Sequence, residues 1–263
     1  MVQIFKISNV FIIVILVFVL TSVDTVRVFG FDDASDKPVD QEKDDGIILL
    51  PVLSYMPETK IAAGALVSYF FRESGSDRHS RPSTLMPSVI FTQKKQFSSE
   101  LSADLYWKNE LYYLKGYISY KKFPDKFYGI GNNTKEENEE NYTPLIYQLR
   151  LNFQKIMVFD SYLGLLYEIE NTKMIQVEED GLLDHGNIKG SEGGTTSGLG
   201  LSINRDTRNN VFYPSSGSQY QFSMKYFLKE LGSNFIFSQY TFDIRKYYEP
   251  YNSHVFAIHS YIN

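Results

Sequence analysis

From about residue 97 onward the chain alternates between apolar and polar side chains, in segments of about ten residues. Between Phe97 and Trp107, one face carries Phe97, Ser99, Leu101, Ala103, Leu105 and Trp107, and the other Ser98, Glu100, Ser102, Asp104 and Tyr106. Leu111 to Lys121 sets Tyr112, Leu114, Gly116, Ile118 and Tyr120 against Tyr113, Lys115, Tyr117, Ser119 and Lys121. Leu145 to Gln154 sets Leu145, Tyr147, Leu149, Leu151 and Phe153 against Gln148, Arg150, Asn152 and Gln154. The pattern returns at 162–170, 198–206, 219–227 and 235–245, and no later stretch has a helical period of useful length. The spacing predicts eleven strands, at roughly 47–56, 61–72, 83–93, 97–107, 110–122, 143–154, 160–172, 196–206, 217–228, 234–246 and 253–263. The first three alternate less cleanly, and Pro87 predicts an edge, a bulge or a shifted register in the third. Tight connections at 94–96 and 108–109 contrast with long loops at 123–142 and 173–195.

The placement of charge decides what this alternation means. Glu100, Asp104, Lys115, Lys121, Arg150, Glu168, Glu170, Asp206, Lys225, Asp243 and Arg245 all fall on polar faces, which leaves the apolar faces free of charge on this reading. A soluble β-sandwich or a lipocalin-like barrel also alternates and stays open as the alternative. Strands of about ten residues suit a tilted bilayer crossing, against a mode of about five to six in soluble sheets. Aromatic residues make up 16 % of the chain, with Tyr 20 and Phe 20, and many sit near strand ends, as interfacial girdles require. The fold class read from this is all-β, a transmembrane antiparallel β-barrel. With a periplasmic N-terminus, odd strands run outward, and the two long loops follow the fifth and seventh strands to the outside.

Ahead of the strands, 10–20 is an unbroken apolar run of signal-peptide length behind Lys6, with Val28-Phe29-Gly30 as a cleavage site. The domain reading is therefore a signal peptide at 1–30, an acidic flexible periplasmic tail at 31–46, and an outer-membrane barrel at 47–263. Zero cysteine removes disulfides, thiol chemistry, Cys-type zinc sites and a lipoprotein anchor. A net charge of −5 argues against nucleic acid as a partner.

The run Gly198-Leu199-Gly200-Leu201-Ser202-Ile203-Asn204-Arg205-Asp206-Thr207-Arg208-Asn209-Asn210-Val211-Phe212-Tyr213-Pro214-Ser215-Ser216-Gly217 resembles a signature of the BamA/TamA-type bacterial surface-antigen barrels. In that family a strand ending in Asp-x-Arg leads into an aromatic-Pro-x-x-Gly turn on the periplasmic side, between strands eight and nine. Pro51 to Lys60 looks like the first barrel hairpin of short members without POTRA domains, and Phe127 to Thr134 looks like one of their loops. The resemblance covers about 47–263 and assigns Asp206, Arg208, Pro214 and Gly217 to a structural family motif. Read from the residues, an Asp206–Arg208 ion pair pins the hairpin, while Pro214 and Gly217 suit its turn. Family members close a 16-stranded barrel, with an Arg-Gly-Phe/Tyr loop and an aromatic final strand. About eleven strands are found here, so the chain reads as C-terminally incomplete.

No residue group announces catalysis. His79, His185, His254 and His259 have no metal-ligand spacing among them, and His259 beside Ser260 points the other way from it in a strand. The run Glu136-Glu137-Asn138-Glu139-Glu140 reads as a solvated outer loop, with a divalent-cation bridge to lipopolysaccharide as the sharper alternative. No enzyme activity, cofactor or metal is expected. The resemblance implies outer-membrane protein assembly and insertion or envelope biogenesis. A non-catalytic accessory barrel and a passive channel are the competing readings. The partners implied are outer-membrane lipid and lipopolysaccharide, with other envelope proteins or nascent outer-membrane proteins.

Overall fold

The computed structural model describes residues 45–263 apart from 58, 76–79, 158, 160, 187 and 252–253. Residues 1–30, read as a signal peptide, most of the stretch read as an acidic tail, and His79 lie outside the described residues. Asp45 and Gly46, read as the end of the tail, already belong to the first strand.

Eleven long strands follow one another as a meander: β1 (Asp45–Met56), β2 (Lys60–Phe71), β3 (Ser83–Thr92), β4 (Phe97–Trp107), β5 (Tyr112–Lys122), β7 (Glu140–Ile156), β8 (Ser161–Gln176), β9 (Gly193–Asp206), β10 (Gly217–Phe227), β11 (Phe237–Tyr251) and β12 (His254–Ile262). Every pairing is antiparallel and between chain neighbours. The loop predicted at 123–142 holds a short extra strand, β6 (Asp125–Phe127), which pairs only with β7. Two short 3-10 turns are the only helical pieces among the described residues.

Burial is inverted relative to a soluble sheet. On β9 the inward Ser202, Asn204 and Asp206 are buried, while the outward Leu199, Leu201 and Ile203 are exposed. The inward Thr84, Ser119, Asn152 and Gln154 are buried as well, and Leu101, Ile118, Leu151, Phe153, Leu163 and Leu165 stand outward and exposed. A sandwich or lipocalin would bury the apolar set, because exposing it to water costs about 25 cal/mol per Å². A lipid solvent removes that cost, and a polar lumen absorbs the other face.

The outward face also records the tilt. Trp107, Tyr112 and Lys155 share one row, which continues through Leu163, Ile203, Phe222 and Phe242. The outward cation Arg205 lies two positions beyond that row on β9, and Lys246 four positions beyond it on β11. The boundary thus climbs about one residue per strand, a tilt of roughly 35° at strand spacings of about 4.8 Å, as barrel closure requires. On β4 the outward aromatics Phe97 and Trp107 cap an 11-residue strand. They lie roughly 33 Å apart along it and about 27 Å apart across the membrane, against an apolar band of ~25 Å in outer-membrane barrels.

Two sequence expectations change. Arg205 stands on the apolar face of its strand, so that face is not free of charge; its place at the strand end puts it at the membrane boundary, where a cation keeps its hydration. Pro87 does not mark an edge, since β3 pairs on both sides. The β2–β3 ladder instead lapses between Leu66↔Ser88 and Tyr69↔Leu85, opposite the residue that has no N–H to donate. The described sheet ends on β1 and β12, each with one neighbour.

Candidate functional site at the barrel mouth

The polar residues gather most densely where β9 ends. The strand's inward parity carries Ser202, Asn204 and then Asp206 into the lumen, and the chain turns immediately afterwards. Asp206 Oδ1 accepts from the Arg208 backbone N–H at 3.1 Å and from Arg208 Nε at 2.9 Å, and Oδ2 accepts from Nη2 at 2.7 Å. This forked pair is nearly dry, with side-chain exposures of 3 % for Asp206 and 11 % for Arg208. Asn209 folds the turn behind it, its Oδ1 accepting from the Ser215 and Ser216 N–H groups at 3.0 and 3.1 Å. Asn210 Oδ1 does the same for Phe212 and Tyr213 at 2.8 and 3.1 Å. Half-buried Pro214 follows these two exposed rings. Gly217 restarts the ladder with φ of +96°, where a Cβ would sit 2.2 Å from the Thr207 carbonyl oxygen.

A second arginine arrives from far away in the chain. Arg81, in the loop between β2 and β3, donates through Nη2 to the Asp206 backbone carbonyl at 2.8 Å, and its Nη1 lies 3.5 Å from Asp206 Oδ2. Five strand steps separate β3 from β9 in the sheet, roughly 24 Å if it were flat. An arginine side chain bridges that gap only because the sheet curls and the loop crosses its mouth. Glu110, in the turn between β4 and β5, clamps the arginine from the other side. Its Oε1 accepts from the Arg81 backbone N–H at 2.6 Å, and its Oε2 lies 3.6 Å from Arg81 Nε. Tyr162 on β8 donates its hydroxyl to the Glu110 carbonyl at 2.8 Å. Below the clamp, Tyr106 and Tyr113 stack with centroids 4.5 Å apart, and Tyr113 donates to Asp104. Burial alone lowers the pKa of Arg81, but the charges of Asp206, Tyr106 and Glu110 more than offset it, so the guanidinium titrates above its usual value.

The structure therefore unites Asp206 with Arg208, sets Pro214 and Gly217 in the same turn, and adds Arg81, Glu110, Tyr106, Tyr113 and Tyr162. Those five carry no sequence signal. Arg81 sits in a polar loop that reads as solvated, and only the curl of the sheet brings it to Asp206. The two guanidiniums of Arg81 and Arg208 balance the carboxylates of Asp206 and Glu110 in charge. The cleft between Arg81, Tyr106, Trp107 and Glu110 has a volume of about 10 Å³, room for little more than one water molecule. The arrangement holds β9, the β2–β3 loop and the β4–β5 turn together.

Other polar groups line the lumen farther in. Lys225 pairs with Glu168, Lys121 lies 2.9 Å from Glu100, and the Arg150 guanidinium sits 4.1 Å over the Tyr117 ring. Near β12, Asp243 accepts a forked pair from Arg245 and meets His259 Nε2 at 3.0 Å. Ser260 lies in register with outward Ile244, so it points away from His259. Among the described residues no three His, Cys, Asp or Glu side chains gather as a metal site. The acidic run at the opposite end is not uniformly solvated. Glu140 is buried, its carboxylate accepting from the Leu182 and Leu183 N–H groups at 2.7 and 3.2 Å, while Glu139 pairs with Lys126 and Glu137 with Lys135. Backbone donors and lysines already occupy these carboxylates.

Residues 86–261, about two thirds of the chain, match the family model described as the Omp85 superfamily domain. No curated protein matches the sequence.

Proposed function

The chain belongs to the Omp85 superfamily, whose members are non-enzymatic barrels of the bacterial outer membrane that assemble, insert or transport proteins, and from that premise we propose that it assists the insertion of other barrel proteins. On this reading residues 1–30 direct export and are removed. The observation that carries the proposal is the outer edge of β1, Asp45–Met56, which has no partner strand among the described residues. Unpaired backbone groups in lipid cost several kcal/mol each, so such an edge gains strongly from an incoming strand. A barrel of the BamA/TamA type would use this edge as its template, with nascent outer-membrane proteins as substrates and Asp206, Arg208, Pro214 and Gly217 keeping the periplasmic mouth in shape.

The test is catalysed folding. The full chain, folded into liposomes, should accelerate membrane insertion of an unfolded eight-stranded barrel severalfold over empty liposomes. Equal rates, with the protein shown to be folded by heat-modifiable migration, would overturn the proposal and leave an accessory barrel. The passive-channel reading draws on the polar lumen, but the Arg81 loop lies across one mouth.

A further inference from the structure

The outward face carries a second cluster that the barrel's own architecture does not use. At the end of the sheet that holds the β4–β5 turn, Trp107, Tyr112 and Phe153 form a ring triad with centroids 5.8 to 5.9 Å apart. Two lysines converge on its middle member, Lys108 Nζ at 5.6 Å and Lys155 Nζ at 5.8 Å from the Tyr112 centroid. Lys108 opens a run of three left-handed residues, with φ of 53° for Lys108, 53° for Asn109 and 63° for Glu110. Its backbone N–H is fixed by Glu73 at 2.7 Å, which commits the side chain to the outer face.

Neither lysine has a carboxylate partner among the described residues, and neither do Arg205 and Lys246, which continue the same boundary around the sheet. Of the luminal cations, Lys121, Lys225 and Arg245 each meet an acid, and Arg150 lies over the Tyr117 ring. Two like charges held beside one ring repel each other unless an anion lies between them. All four are exposed on the outward face. The longer loops, 123–139 and 177–192, lie at the other end of the sheet, so this end is the periplasmic one, where the leaflet consists of glycerophospholipid.

We propose that Lys108 and Lys155, with Tyr112 and Trp107, form a binding site for the phosphate-bearing headgroup of an anionic glycerophospholipid. The ammonium groups take the phosphate and the rings take the glycerol and upper acyl region, with Arg205 and Lys246 extending the anionic preference along the same height. The site is independent of any insertase activity and rests only on the barrel lying in a membrane.

Trp107 is the only tryptophan in the chain, so its fluorescence reports this one place. The full chain is folded into phosphatidylcholine vesicles containing a fixed fraction of either dibrominated phosphatidylglycerol or dibrominated phosphatidylcholine. Quenching of Trp107 should favour the anionic lipid by about thirtyfold in relative affinity, the order that two interfacial lysines supply. The double variant Lys108→Gln/Lys155→Gln should lose that preference and Lys108→Arg/Lys155→Arg should keep it. Lys122→Gln/Lys173→Gln, at the other boundary, should leave it unchanged. Equal quenching by the two lipids in the wild type, or a preference that survives the double glutamine variant, overturns the site.

Discussion

Asp206 is the residue on which most of the mouth depends, because both of its oxygens and its carbonyl accept from arginines. Removing one partner of a buried pair costs about 3–5 kcal/mol, since the remaining charge stays buried and uncompensated. Asp206→Ala leaves two guanidiniums behind, so it should lower the stability measured by urea unfolding in vesicles by about 3 kcal/mol, more than Arg208→Gln does. Gly217→Ala meets a different obstacle: its backbone conformation disfavours a side chain, and the Thr207 carbonyl occupies the space a Cβ needs. The same titration should show a loss of about 1–3 kcal/mol or a refolded turn. Gly164 on β8 has ordinary backbone but faces Asn152, Gln154 and Ser202, whose atoms lie 2.5 to 2.6 Å from a built Cβ. Without a side chain there, the luminal amide layer closes over β8.

At the scale of elements, the two long loops behave as one docked unit. Glu140 caps the 177–192 loop from the start of β7, and Asn141 adds a backbone donation to Glu178 at 2.8 Å. Glu140→Ala should therefore open that loop, seen as faster cleavage there in limited proteolysis with the barrel intact. Beside it, hydrogen bonds from Lys126 and then Tyr128 hold the Glu139 carboxyl below its ordinary value of 4.5. A lowered carboxylate pKa makes the contribution full above the ordinary value and lost as pH falls through the lowered one. The β6–β7 tether should accordingly gain protease sensitivity only on acidification below pH 4.5, and Glu139→Gln should remove that pH dependence. The strands themselves were legible: all eleven long ones lie where the sequence predicts them, seven by clean alternation, because a two-sided environment imposes period two. β6 was not, since three residues give no period to read.

For the whole molecule, the decisive feature is a loop crossing a mouth. Arg81 ties the β2–β3 loop to β9 and to the β4–β5 turn, across a lumen whose walls are polar. A barrel so strapped should conduct poorly. Planar bilayers should show little stepwise conductance for the wild type and larger, more frequent openings for Arg81→Ala. Frequent large openings in the wild type would mean that the strap does not obstruct ion flow and would return the passive-channel reading to first place.

The sequence by itself determined the class of fold, the faces of the strands and the location of the Asp206–Arg208 turn. The first two follow from local periodicity, which a membrane solvent writes directly into neighbouring residues, and the third from the resemblance of 198–217 to a family signature. Only the tertiary structure decided that Arg81 and Glu110 complete the mouth and that Lys108 and Lys155 meet over Tyr112. It also decided that Arg205 belongs to a boundary of outward cations climbing one residue per strand. Those juxtapositions depend on how far the sheet curls and how its strands tilt. Curl and tilt belong to the paired arrangement of many strands, and no single strand carries them in its sequence.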